Sequence, residues 1–140
     1  MLAIDENADH VYVADTYGGV IREFTHGGVP VAVWGSPIGF DRPWGITVTS
    51  SGDFSYVADS ENDRIQAFGR DGSYLFTWGS TGTGNGQFDA PGGIAIMEHP
   101  GDQFGDVFVA DQTNHRIQRF CGCPVPANTT TWGRVKAIYR

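Results

Sequence analysis

Three segments of this chain carry nearly the same five residues: Val11-Tyr12-Val13-Ala14-Asp15, Ser55-Tyr56-Val57-Ala58-Asp59 and Val107-Phe108-Val109-Ala110-Asp111. A phrase that returns after about 40 to 50 residues marks an architecture of repeated units, each too small to bury its own apolar face. The likeness extends beyond the phrase. Nine residues after each Asp stands a Phe (Phe24, Phe68, Phe120), with Ile21, Ile65 or Ile117 three places before it. Each unit closes on a Trp-Gly pair, at Trp34-Gly35, Trp78-Gly79 and Trp132-Gly133.

One unit reads as four short strands. In the second these are Gly45 to Thr49, Phe54 to Ala58, Arg64 to Phe68 and Tyr74 to Trp78, each rich in Val, Ile, Phe, Tyr or Trp. Turn residues separate them, as in Ser50-Ser51-Gly52-Asp53 and Arg70-Asp71-Gly72-Ser73, and such clusters punctuate strands. Ile46 and Val48 alternate with Thr47 and Thr49, the period of a sheet with distinct faces. The third unit repeats the order, with strands expected at Gly93 to Met97, Asp106 to Ala110, Arg116 to Phe120 and Thr129 to Trp132. The first opens on its first strand, Met1 to Asp5. The linking segments Phe40-Asp41-Arg42-Pro43 and Phe88-Asp89-Ala90-Pro91 have no counterpart before it. The expected units are 1–35, 36–79 and 80–133, followed by a tail at 134–140.

Four antiparallel strands per unit, repeated radially, describe the blade of a β-propeller. The expected class is all-β, as three four-stranded blades forming half of a six-bladed ring or an open arc. The residues also resemble a known family. The segment from Gly86-Gln87-Phe88-Asp89 through Asn114-His115-Arg116-Ile117 to Phe120 is similar to an NHL repeat. Asn62-Asp63-Arg64-Ile65 follows it with one change, and Tyr17-Gly18-Gly19-Val20-Ile21 has drifted furthest. The resemblance covers about residues 1–133.

Composition narrows the function. Twenty Gly, 13% aromatic and 18% charged residues describe a turn-rich β protein rather than a disordered one. A net charge of −7 disfavours nucleic acid, whose binding relies on Lys and Arg displacing counterions. No apolar run approaches the roughly 18 residues of a membrane-spanning helix, and no signal peptide is visible. Neither nucleic acid nor membrane is therefore an expected partner.

Propellers close with about four to eight blades, so three leave apolar blade faces without a neighbour. The expected role is a non-catalytic module for protein–protein interaction or self-assembly. A homo-oligomer would form, either two arcs completing a six-bladed ring or a larger polymer. A piece of a longer propeller is the competing reading. A cation-dependent lyase or hydrolase is the alternative function, since the resemblance implies that some related propellers are metal-dependent enzymes. The tail, with Arg134, Lys136 and Arg140, would either add a strand to the sheet edge of an acidic neighbour or lie solvated.

Single residues carry further expectations. Asp15, Asp59 and Asp111 end equivalent strands and are candidates for a cation site of gathered carboxylates. The other reading has each accept hydrogen bonds from turn amides, and the resemblance implies a blade-to-blade tie with Arg64 or Arg116. Trp34, Trp78 and Trp132 are expected to pack in or between blades. His10, His26, His99 and His115 occupy unrelated places in the repeat, and no zinc spacing links them. No cofactor is expected. Cys121 and Cys123 are candidates for free thiols, a disulfide or an intermolecular link, with a metal site as the remaining reading. Asn128-Thr129-Thr130 matches the glycosylation acceptor pattern, and the surrounding Pro and Thr favour an extracellular setting, although the compartment stays open.

Overall fold

Repetition in sequence becomes repetition of register. The computed structural model describes residues 1–5, 7, 9–100, 105–121 and 138–139. It contains β1 (Leu2–Asp5), β2 (His10–Asp15), β3 (Val20–Thr25), β4 (Pro30–Trp34), β5 (Pro43–Val48) and β6 (Phe54–Asp59). These are followed by β7 (Arg64–Gly69), β8 (Tyr74–Trp78), β9 (Pro91–Met97), β10 (Asp106–Asp111), β11 (Arg116–Cys121) and β12 (Ile138–Tyr139). The strands form three antiparallel four-stranded sheets, β1–β4, β5–β8 and β9–β12, each in simple meander order. The expected all-β array of three blades is therefore present. In all three, the repeated phrase pairs with the following strand in one register, placing Ala14 opposite Ile21, Ala58 opposite Ile65 and Ala110 opposite Ile117.

The turn between the second and third strands has a common shape. Its last residue is left-handed in each blade: Gly19 at φ 63°, Asp63 at φ 50° and His115 at φ 52°. Glycine reaches that region without a Cβ clash, and Asn, Asp and His are the residues that tolerate it best. His115 thus has a structural role in its turn, and the drift to Gly18-Gly19 in the first unit keeps the shape.

The strand expected at Thr129–Trp132 lies outside the described residues, and β12 comes from the segment read as a tail. Gln118 pairs with Tyr139 and Arg119 with Ile138, as Gln66 pairs with Thr77 and Ala67 with Phe76 in the second blade. An edge strand presents unpaired backbone groups that another strand can satisfy, and β11 takes that strand from its own chain.

Two apolar clusters lie between sheets. Tyr12, Ala14, Ile21 and Trp34 of blade 1 meet Ile46, Val57 and Phe68 of blade 2. The opposite face of blade 2, with Tyr56, Ala58, Ile65 and Ala67, meets Phe88, Ile94, Val107, Val109 and Phe120. Side chains two apart on a strand share a face, which is how blade 2 supplies both clusters. Burying a side chain such as Phe68 or Ile65 contributes about 1.5 to 3 kcal/mol. The inner strands approach so closely that a Cβ on Gly45 would stand 2.2 Å from the Gly92 carbonyl oxygen.

Candidate functional site

The repeat-defining polar residues assemble into a clamp on the connector that enters each blade. In blade 2, Asp59 is fully buried and accepts hydrogen bonds from Arg64 Nε at 2.7 Å, Gln66 Nε2 at 2.8 Å and Asn62 Nδ2 at 2.9 Å. Its other oxygen accepts the Asp41 amide at 2.7 Å. Arg64 Nη2 donates to the Ile38 and Gly39 carbonyls at 3.0 and 2.8 Å, and Gln66 Nε2 donates to Gly39 at 2.8 Å. Phe40 packs on Phe68, with ring centroids 5.5 Å apart.

Blade 3 builds the same clamp with different connector residues. Asp111 accepts from Arg116 Nε at 2.7 Å, Gln118 Nε2 at 2.8 Å, the Asn114 amide group and the Asp89 amide at 2.9 Å. Arg116 donates to the carbonyls of Thr83, Gly84 and Gln87, and Gln118 to that of Gln87. Phe88 lies 5.6 Å from Phe120. Burial by itself would raise the Asp111 pKa, but the bonds from Asp89, Asn114, Arg116 and Gln118 outweigh it and hold the carboxyl below its ordinary value.

Blade 1 has a reduced version. Val20 stands where the clamp Arg stands, and Arg22 occupies the place of Gln66 and Gln118. Asp15 accepts the Gly18 amide at 2.9 Å and Arg22 Nε at 2.9 Å, and these two bonds lower its pKa. Its side chain is 28% exposed, against 0% for Asp59 and Asp111. Each of the three carboxylates is thus held within its own blade, and the expected blade-to-blade tie is instead an ion pair between adjacent strands of one sheet. Among the described residues, no group of three or more His, Cys, Asp or Glu could hold a metal ion.

The apolar repeat residues divide between the two sides of each blade. Ile21 and Ile65 face the following blade and are fully buried, whereas the equivalent Ile117 is 52% exposed. With Phe108, Ala110, Ala95, Gly93 and Ile94 it lines a shallow cavity of about 210 Å³ on blade 3. At the other end Leu2, Ile4, Val31 and Val33 are exposed and Phe24 is half-buried. Trp34 packs on Tyr12 at 5.0 Å and donates from Nε1 to the buried Glu23 at 3.0 Å. Trp78 packs against Tyr56, Phe76 and Phe120. Cys121 is disulfide-bonded; Cys123, Asn128 and Trp132 lie outside the described residues.

Several working residues were not singled out from sequence. Gln66 and Gln118 follow their Asp by seven places, a spacing visible in two repeats. Asp63 accepts hydrogen bonds from the Ala90 amide at 2.9 Å and the Thr81 hydroxyl at 2.6 Å, joining blade 2 to the next connector. Thr16 and Ser60 donate to the Pro43 and Pro91 carbonyls, at 3.0 and 2.5 Å.

Comparison with known proteins agrees with this geometry. Residues 40–68, which run from the clamped connector to the Phe that receives it, match the NHL repeat. NHL repeat-containing protein 3 of Homo sapiens is 30% identical over 116 residues, covering 74% of this chain and 32% of that protein. Protein brain tumor of Drosophila melanogaster is 32% identical over 80 residues, 56% of this chain and 7% of that one. The chain therefore spans about a third or less of the curated relatives it matches. Among solved structures, a chain of the nidogen/laminin complex superposes with a TM-score of 0.66 at 26% identity, over 86% of this chain and 43% of that one. Hydrazine synthase of Kuenenia stuttgartiensis gives 0.69 over 99% of this chain and 34% of that chain, a likeness of fold at 15% identity. The chain is an NHL-repeat protein built of β-propeller blades.

Proposed function

We propose that this chain is a non-catalytic protein-binding module whose two outer blade faces pack on blades of a second copy, completing a ring. One observation carries the reading. Phe108, Ala110 and Ile117 hold the positions that in blade 2 belong to Tyr56, Ala58 and Ile65, and those three are sealed against the next blade. The outer face of blade 3 therefore has the side chains of an inter-blade interface. Blade 1 offers its counterpart in Leu2, Val13 and Phe24, which match Ile46, Val57 and Phe68. Apolar area of this kind favours association. Two copies related by a twofold axis would join blade 3 of one protomer to blade 1 of its partner at both seams.

Solution mass by light scattering tests this. The expected result is a species of at least twice the 15.2 kDa chain mass, reduced to one chain by Phe108→Asp. A wild-type chain that stays at one chain mass at every concentration would contradict it.

A further inference from the structure

Blades 2 and 3 show, in two independent copies, what the clamp recognises. The ligand is a short stretch of main chain with Phe-Asp at its centre. The amide of that Asp (Asp41, Asp89) bonds the clamp carboxylate. The carbonyl of the residue before Phe (Gly39, Gln87) accepts from both the clamp Arg and the clamp Gln. The Phe ring packs at a tilt against Phe68 or Phe120. Since nearly every contact is to backbone, the connectors can differ elsewhere, as Ser36-Pro37-Ile38-Gly39 and Thr83-Gly84-Asn85-Gly86-Gln87 do.

From this we infer that the outer side of blade 1 is a binding site for a peptide segment carrying Phe-Asp-x-Pro, supplied from outside these 140 residues. Asp15 holds the carboxylate position and Arg22 lies beside it, with Nε and Nη2 each 2.9 Å from Oδ2. Phe24 holds the position of Phe68 and Phe120 in the register and is half-buried. The acceptor, the cationic donor and the aromatic platform are thus all present. The carboxylate is also more accessible than in either filled clamp. A second copy does not supply this segment. Phe-Asp occurs in the sequence only at 40–41 and 88–89, and both pairs are held by their own blades. The site deepens the binding role proposed above, because it names the chemistry of one partner.

Blade 1 lacks one donor arm. Val20 replaces the Arg that reaches the connector carbonyls in both other blades, so Val20→Arg should strengthen the site. This gives a test that does not depend on damaging the protein. A fluorescent peptide with the sequence of residues 79–91 is titrated with the full 140-residue chain and followed by anisotropy. Saturable binding is expected. It should weaken at least about tenfold in Asp15→Asn through loss of a charge-assisted bond, tighten in Val20→Arg, and vanish when the peptide Phe is replaced by Ala.

The inference is overturned if neither the wild type nor Val20→Arg binds the peptide, or if Asp15→Asn binds as well as wild type. The ring-completion reading fails separately. A chain that self-associates and takes no peptide overturns this site alone, whereas a monomer that takes the peptide supports it and overturns ring completion.

Discussion

Asp59 and Asp15 end the same strand in successive blades, yet one is fully buried and the other 28% exposed. The difference comes from what lies against them. Asp59 has a connector laid over it and four donor groups converging on its two oxygens, whereas Asp15 is held by its own turn and a half-exposed Arg22. Ile65 and Ile117 show the same contrast in apolar form. A repeat fixes which side chain stands where, and the neighbouring blade determines how much free energy that side chain contributes.

Breaking the clamp at the two positions should separate them most. Asp59→Ala removes a buried carboxylate that pairs with the partly buried Arg64 and accepts from the buried Gln66, and should cost about 3 to 5 kcal/mol in denaturant-induced unfolding. Asp15→Ala should cost a small fraction of that, because its ion pair is solvated. Equal costs would mean that the connector adds nothing to the clamp.

Gly45→Ala is a smaller perturbation of the inter-blade contact. Its Cβ would meet the Gly92 carbonyl oxygen at 2.2 Å, so the inner strands must separate. Overpacking of this kind costs about 1 to 3 kcal/mol. Gly35→Ala, whose Cβ would meet nothing within 4 Å, is the control and should leave the thermal midpoint nearly unchanged.

Titration gives a smaller effect with a fixed sign. Asp111 has a lowered pKa in the fold, so its contribution is present above the ordinary carboxyl value of about 4 and is lost as pH falls below it. Tyr12 behaves oppositely. Burial, with Glu23 and Asp5 nearby, pushes its pKa up to about 12, so its contribution is complete below about pH 10 and is lost as pH rises toward 12. Thermal melts across pH should fall at both ends. Tyr12→Phe should remove much of the alkaline loss and leave the acid limb alone; an unchanged alkaline limb would exclude Tyr12 as its cause.

The fold was largely legible because three in-phase copies define the strands more firmly than one could. β8 spans the expected Tyr74–Trp78, and β6 runs one residue past the expected Phe54 to Ala58, to Asp59. Gln66 was not legible as a clamp residue, since its role depends on a connector about 27 residues earlier in the chain. Ile138-Tyr139 was not legible as a strand, since it joins the sheet only through its register with Gln118 and Arg119. Arg22 was missed for another reason: it serves Asp15 from the Gln position, which motif matching at the Arg position does not examine.

The most direct test is denaturant unfolding of wild type, Ile65→Ala and Ile117→Ala, each at about 1 µM and about 100 µM chain, because stabilisation by a second copy grows with concentration. Ile65→Ala should cost about 2 to 5 kcal/mol at both concentrations, since its partner blade is in the same chain. Ile117→Ala should cost little at the lower concentration and clearly more at the higher one, where a second copy covers its face. A cost at Ile117 that does not change with concentration would contradict the proposal that this face packs on another copy.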